Sequence, residues 1–499
     1  MLRTAGFVIM MIIRIALGLA ATLLLRHWYP LVFSILHWAS YLAVACIVIK
    51  RNNPYSIMWA IIILALPVYG LFLFLTFSWS GTFTPGSKGL RKSISHGTSF
   101  LEKDPEVYKS LGETRPGRKR IAGYLGRKGQ PVYSNTACEY YPLGELHFDA
   151  MIKDMEKAEK FIFMEYFIIS SGALWDRIQD ILVSKAAQGV EVRILMDDIG
   201  CMATFPKKMI RTLEQQGIKV IRFNDVHGLF SRNYFNFRNH QKIAVIDGNV
   251  GYTGGTNVAD EYINAYVKFG HWKDTAIRME GDAVWSLTVS FLQMWDGETG
   301  VSSDYEKYRP TVSCEGAGYF QPYIDGPAVD MDYISKNIYK LFIYSAKKYV
   351  YITTPYLIVD PTMLDALRVA AKGGTDVRIM VPKCWDKWFV HMVTLSNYQN
   401  LLEAGVRIFE YTPGFIHAKT ILSDDDHAVM GTINMDYRSF YLHYENGVWI
   451  CDAPVIEAIK KDLVDTFELC TEIKLEEWSK RPWHEKCIEN VLRLFAVLF

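Results

Sequence analysis

The sequence predicts an α/β fold in two similar halves that share one pseudo-twofold site, preceded by an N-terminal segment of transmembrane helices. Two observations carry this. A succession of β-type runs and helical patterns occurs twice along the chain, as a duplicated α/β layer would write it. Charged residues, 21% of the 499, are scarce before Lys88 and ordinary after it, so the apolar excess sits at the N-terminus.

A chain of 499 residues is too long for one ordinary core. Residues 1–80 contain three apolar runs, 5–25, 31–49 and 57–77, each close to the ~20 residues a helix needs to cross the hydrocarbon layer. The second and third, joined by "KRNNPYS" with its Pro54, read as a membrane hairpin, and Pro67 is tolerable where a neighbouring helix satisfies the freed carbonyl. Arg14, at the centre of the first run, leaves open whether that run spans, lies at the interface or acts as an uncleaved signal anchor; two or three spans are expected. Lys50 and Arg51 on one side, and Lys88, Arg91 and Lys92 on the other, give opposing topology signals.

Residues 81–130, with "RPGRKR" at 115–120, read as a basic linker, solvated or lying on anionic headgroups, where each positive charge adds about 1 kcal/mol of attraction. Residues 481–499 set Trp483, Leu492, Leu494 and Phe495 among basic residues, an amphipathic tail for an interface or for the catalytic body. The net charge of +1 argues against nucleic acid as a partner. Eight cysteines without a C-x-x-C pair read as reduced thiols on the cytoplasmic side.

The repeat occupies 131–310 and 311–480. "KFIFMEYFIIS" (160–170) matches "KYVYITTPYLI" (348–358), and helical patterns then lead to "AAQGVEVRILM" (186–196) and "AAKGGTDVRIMV" (370–381). "LEQQGIKVIRF" (213–223) answers "LLEAGVRIFEY" (401–411). Next come the stretches that carry chemistry, "HQKIAVIDGNVGYTGGTN" and "HAKTILSDDDHAVMGTIN". In the first, His240, Lys242 and Asp247 are spaced His-x-Lys-x4-Asp; in the second, His417, Lys419 and Asp424 repeat the spacing. A glycine turn and an asparagine follow each: Gly254, Gly255 and Asn257, then Gly431, Thr432 and Asn434. Read as strand residues, each histidine and lysine two positions apart share a face.

With these residues the chain resembles the phospholipase D superfamily, and within it the bacterial cardiolipin synthases. The resemblance extends to the apolar hairpin, "NFRNHQK", "HWKDT" (271–275), "ITTPYLIVD" (352–360) and "NMDYRS" (434–439). It implies duplicated phospholipase D-like α/β/α sandwich halves. The family often has Gly-Ser in the turn, whereas Gly254-Gly255 and Gly431-Thr432 stand here, which puts in doubt a hydroxyl contact to phosphate in the first half.

The chemistry explains the residue types. A phosphodiester anion repels nucleophiles; Lys242 and Lys419 supply compensating charge, and Asn257 and Asn434 supply amide donors to non-bridging oxygens. One neutral imidazole can attack phosphorus while the other protonates the leaving alkoxide, with roles exchanged in the second step and retention after two inversions. No metal or other cofactor is required. Spacing does not say which histidine attacks; the resemblance implies His240, with His417 as the acid. It also implies that Asp274 and Glu445 orient the imidazoles from their other nitrogens. Asp247 and Asp424 are grouped with the catalytic residues as motif members, although closing a turn through backbone amides is their preferred reading.

Outside the motifs, His271 and His443 read as supporting or packing residues. Asp197 and Asp198 either meet substrate hydroxyls or begin a loop, and Glu165, polar in an apolar strand, suggests a site-facing role. "WDKWFVHM" (385–392) reads as core, with a membrane-facing mouth as the minority view. The resemblance implies a multi-pass enzyme of the bacterial cell membrane, its catalytic part cytoplasmic, working on phosphatidylglycerol amid anionic lipid. It would join two phosphatidylglycerol molecules into cardiolipin and glycerol through a phosphatidyl-histidine. The alternatives are a hydrolytic phospholipase D and a membrane-anchored phosphodiesterase or nuclease.

Overall fold

The structure is a computed structural model that describes residues 2–50, 54–77, 88–225, 236–312, 314–329 and 332–498. Four apolar helices lead: α1 (Leu2–Trp28), α2 (Pro30–Lys50), α3 (Pro54–Ala65) and α4 (Pro67–Phe77). By length and hydropathy, Thr4–Trp28 and Pro30–Ile49 are long and apolar enough to cross a membrane, and the third run is broken into two shorter helices at Pro67. That break follows from the missing amide of proline and its clash with the preceding turn. Ser40 Oγ on α2 donates to the Pro67 carbonyl at 2.9 Å, supplying a neighbour's hydrogen bond at the break. Residues 51–53 of the expected turn, and 81–87 of the expected linker, lie outside the described residues.

From Lys88 onward the stretch expected as a basic linker is packed instead. Helices Lys88–Thr98, Pro105–Thr114 and Lys119–Arg127 bury Leu90, Ile94, Leu111, Ile121 and Leu125 in the main core. Composition hid this because every apolar residue falls on one face of a helix whose other face is charged. Arg118, read as part of a basic linker either solvated or lying on anionic headgroups, is buried against Asp424 and Asp426.

The first half is a seven-stranded sheet. It uses β1 (Thr136–Tyr141), β2 (Phe161–Tyr166), β3 (Glu191–Asp197), β4 (Lys219–Phe223), β5 (Ile243–Ile246), β6 (Val250–Gly254) and β8 (Ala276–Gly281), in the order β1-β8-β6-β5-β2-β3-β4. β7 (His271–Lys273) stands outside it. The second half comprises β9 (Tyr319–Asp325), β10 (Tyr349–Thr353), β11 (Asp376–Pro382), β12 (Arg407–Tyr411), β14 (Thr420–Ser423), β15 (His427–Gly431), β16 (Glu445–Cys451) and β17 (Cys470–Ile473). Its order, β17-β12-β11-β10-β14-β15-β16-β9, repeats the first with β17 added at one edge.

In both sheets the central strands are parallel and the flank is antiparallel. Parallel strands buried on two faces explain the near-continuous apolar runs "FIF" and "YVYI". Helix Val284–Thr299 is buried over most of its length between the halves. The halves also touch through β13 (Gly414–Ile416), which pairs in parallel with β7. This small two-stranded ladder positions half of the site.

Candidate active site

His240 and Lys242 are not strand residues as the sequence reading had them: β5 begins at Ile243. They occupy the segment just before it, and four anchors hold that segment. The His240 amide donates to the Tyr444 carbonyl at 2.9 Å, and the Lys242 amide to Asn446 Oδ1 at 3.3 Å, both across the junction. Asp197 accepts the Asn239 amide at 3.0 Å and the Arg238 guanidinium at 2.9 Å. Glu165 accepts Asn239 Nδ2 at 2.5 Å.

Arg238 and Asp197 are both buried, so removing one partner leaves an unpaired interior charge at a cost of about 3–5 kcal/mol. Asp198 likewise pairs with Arg222 at 2.9 Å. Asp197 also opens the loop as expected, accepting the Ile199 and Gly200 amides at 2.9 Å. Asp197 braces the segment that ends in His240, a role the sequence reading missed because Asp197 and Arg238 are 41 residues apart.

The pairing of histidines with carboxylates is crossed between halves. His240 Nδ1, from the first half, donates to Glu445 at 2.9 and 3.0 Å; His417 Nδ1, from the second, donates to Asp274 at 2.6 Å. Topology forces this. The β7–β13 ladder sets Lys273 beside Ile416, and the His417 amide donates to the Lys273 carbonyl at 2.7 Å, so the next residue of each strand meets the other. The Asn239–Tyr444 bridge does the same for His240 and Glu445. With Nδ1 engaged by a carboxylate, each ring keeps Nε2 as the nitrogen left for chemistry.

Lys242 Nζ donates to the His240 carbonyl at 2.8 Å; Lys419 Nζ donates to the His417 carbonyl and lies 2.7 Å from His417 Nδ1. The two motifs act on each other electrostatically: Lys419 and His417 both depress the proton affinity of His240. Burial, reinforced by Lys242 and Lys419, holds His240 well below the ordinary imidazole range. Burial and Lys419 push His417 down to about 4, against the pull of Asp274. Burial lowers Lys242 to about 7 and Lys419 to about 8. Four groups that would rather be neutral are thus crowded where a phosphodiester anion would restore their charge.

The supporting shell differs between halves. Glu445 accepts hydroxyl donors from Thr432 and, at 2.7 Å, from Ser439. Opposite, Asp274 accepts the Thr275 amide at 2.8 Å, and Gly255 stands where Thr432 stands in the second half. A Cβ at Gly255 would lie 2.0 Å from Asp274 Oδ1, so glycine is required there. Asn257 is committed, its Nδ2 donating to Tyr262 Oη at 2.7 Å and its Oδ1 accepting the Ile168 amide at 3.0 Å. Asn434 Oδ1 is buried without a hydrogen-bond partner.

Asp247 and Asp424, grouped with the catalytic residues in the sequence reading, do not act in the cleft. Each sits beyond the far end of its strand and accepts three backbone amides: Glu159, Lys160 and Phe161 for Asp247, and Lys347, Lys348 and Tyr349 for Asp424. Both adopt positive φ, 54° and 53°, at the tight turn they close.

His271 donates to or accepts from Tyr411 Oη at 2.9 Å, away from the pair, whereas the His443 ring lies 5.3 Å from His240 and its Nε2 accepts Arg438 Nε at 3.2 Å. Phe167 stands 5.1 Å from His240, and Tyr262 and Trp272 stand 5.4 and 5.5 Å from His417. Nothing in the spacing of these aromatics marks them as neighbours of the histidines. Among the described residues, His240, His443 and Glu445 bring possible metal-ligating atoms within 4.8 Å of one another. Lys242, Lys419 and Arg438 all bear on His240, however, and that field disfavours a divalent cation.

Two α/β halves, each giving one imidazole and one ammonium to a shared cleft, define a phospholipase D-like phosphodiester enzyme. Residues 151–268 and 339–467 match the family described as "Cardiolipin synthase, PLD-like domain". The chain is 35% identical to a cardiolipin synthase of Oceanobacillus iheyensis, over 91% of this chain and 96% of the relative, and 34% identical to one of Geobacillus kaustophilus, over 93% of each. The fold is also that of phosphatidylserine synthase from Haemophilus influenzae, with a TM-score of 0.59 at 14% identity, covering 76% of this chain and 99% of the other. The chain belongs to the cardiolipin synthase family.

Proposed function

We infer that the protein is a cardiolipin synthase that transfers a phosphatidyl group between two phosphatidylglycerol molecules, a phosphatidyltransferase reaction. The observation that carries the mechanism is the pair of crossed imidazole–carboxylate contacts beside two buried lysines. Lys242 and Lys419 receive the phosphodiester anion, which raises their proton affinity and that of His417. His240 Nε2 attacks phosphorus, the P–O bond to the glycerol headgroup breaks, and the His417 Nε2 proton goes to the departing oxygen. This leaves phosphatidyl-His240 and free glycerol. In the second step neutral His417 takes a proton from the terminal hydroxyl of another phosphatidylglycerol, whose oxygen attacks phosphorus and breaks the P–N bond.

The asymmetry of the shell supports this order. Glu445 shares its charge with two hydroxyls, so it draws a proton onto His240 weakly, and His240 is suited to attack as a neutral base. Asp274 has no such hydroxyl donors among the described residues and favours an imidazolium at His417, the acid. Helices α1 to α4 anchor the enzyme in the cell membrane as a multi-pass protein, and the free thiols suit a cytoplasmic catalytic part. Membrane confinement raises the effective concentration of both lipids.

Incubating the purified protein with headgroup-labelled phosphatidylglycerol tests the reading. Cardiolipin with equimolar glycerol is expected; phosphatidic acid as the main product would make it a hydrolytic phospholipase D, and no turnover would remove the assignment.

A further inference from the structure

Helix Trp483–Arg493 packs on helix Trp388–Leu395 the wrong way round for a water-facing surface. Its buried residue is Glu489, paired with Arg481, while Trp483, Ile488 and Val491 point outward and Leu494 and Phe495 continue the exposed face. Trp483 is 76% exposed. Helices of water-soluble surfaces bury their apolar stripe and show their acids. Beside it, at the start of the partner helix, Trp385 and Trp388 are 50% and 47% exposed.

This apolar face has a definite position relative to the site and the anchor. The Trp385 loop carries Asp386, which accepts the Tyr356 hydroxyl at 2.6 Å and bears electrostatically on Lys419. Cys384, next in the loop, donates to the Phe269 carbonyl at 3.4 Å, which brings up the 266–268 loop with Val267 83% exposed. At the other end, the turn Ala496–Leu498 packs on α3 and on helix Tyr437–Tyr441, and Arg438 donates to the Leu498 carbonyl at 3.4 Å while also touching His443. Tyr55, at the start of α3, meets Tyr441 edge-on at 6.2 Å between ring centroids. A chain of contacts therefore links α3, the C-terminal helix and the loops near Lys419, with exposed apolar residues on each of the last two.

We propose that this surface, Trp483–Phe495 together with the 266–267 and 385–389 loops, is seated in the bilayer interface and opens the catalytic cleft directly onto the lipid leaflet. The occupant is phospholipid, because the C-terminal turn packs on α3, which itself packs on the membrane-length helix α2, and the surface carries exposed Lys387 and Lys480 suited to anionic headgroups. A tryptophan-rich, apolar surface with basic neighbours is the composition favoured at the headgroup boundary. The substrate's phosphate could then reach the lysines while its acyl chains stay in the membrane. This rests on the proposed lipid substrate only for the activity arm of the test below.

The full chain is placed in nanodiscs whose phosphatidylglycerol carries brominated acyl chains, and the quenched fraction of tryptophan emission is compared with that of Trp385→Ser/Trp388→Ser/Trp483→Ser. If these three indoles lie in the interface, their removal lowers the quenched fraction; if they face water, it rises, and the proposal is overturned. In parallel, transfer from bilayer phosphatidylglycerol should fall at least tenfold in the triple variant, while transfer from a short-chain, monomerically dissolved phosphatidylglycerol stays within twofold. Equal loss on both substrates overturns the docking role. Should the triple variant misfold, Trp483→Ser alone gives the same sign test by quenching. A shift from dimer to monomer in detergent without any change in quenching assigns the surface to a second copy and also overturns the proposal. An unmodified enzyme that is inactive on phosphatidylglycerol but quenched as expected would remove the substrate assignment and leave the docking surface standing.

Discussion

The two halves of the catalytic body share a sheet order and a motif, yet they support their carboxylates differently. In the second half Glu445 is held by the hydroxyls of Thr432 and Ser439; in the first, Asp274 lies against a glycine that has no room for a side chain. Since each carboxylate serves the histidine of the opposite half, the asymmetry of one half sets the proton affinity in the other. The two halves repeat one motif, and a few side chains give its two histidines unequal surroundings.

The largest expected effect breaks the comparison outright. His240→Asn should abolish transfer, by about 10⁴-fold or more as for loss of a covalent nucleophile, and leave no phosphatidyl-enzyme. His417→Asn should still accumulate that adduct from a substrate with an easily departing headgroup. Intact-mass spectrometry after mixing with substrate checks both, and the reverse pattern would exchange the two roles. Next, Glu445→Gln and Asp274→Asn should each cost roughly 10²-fold or more in kcat/KM by releasing a ring from its tautomer. With His417 as the acid, Asp274→Asn should move the pH dependence of leaving-group protonation more than Glu445→Gln does, which pH–rate profiles would reveal.

Stability separates the halves as well. Asp197→Asn, which strands Arg238 in the first half, should lower unfolding stability by about 3 kcal/mol, read as a drop in the denaturation midpoint. The pH profile gives a subtler contrast. Because burial depresses the proton affinities of Lys242 and Lys419 to about 7 and about 8, both are charged at lower pH and become neutral as pH rises through those values. kcat/KM should therefore fall on the alkaline side between about 7 and 8. Substrate anion raises both lysines, so the same limb in kcat should appear at higher pH. The smallest effect is expected of Thr432→Val, which removes one of two hydroxyls from Glu445 and should cost only a few-fold in kcat/KM.

Much of the site could be read directly from the chain. The doubled His-x-Lys-x4-Asp spacing named four residues that meet, and the turn-closing habit of aspartate anticipated the amide contacts of Asp247 and Asp424. Asp274 and Glu445 were also nameable, by resemblance, but not the exchange that sends each to the other half. The brace of Asp197 on Arg238 and the aromatic surround of Phe167, Tyr262 and Trp272 gave no signal, because those contacts join residues with no regular spacing. Helix Lys88–Thr98 and its neighbours were hidden beneath a basic composition, since a count of charges ignores the face on which they lie.

Local order and residue type thus determined the repeat, the apolar lead and the acid–base inventory, because strand and helix periodicities and motif spacings are properties of adjacent residues. Tertiary structure alone decided the crossed carboxylates and the unequal imidazoles. Those depend on how two halves pair across β7 and β13 and on what burial does to a charge, and neither is encoded in any short window of the chain.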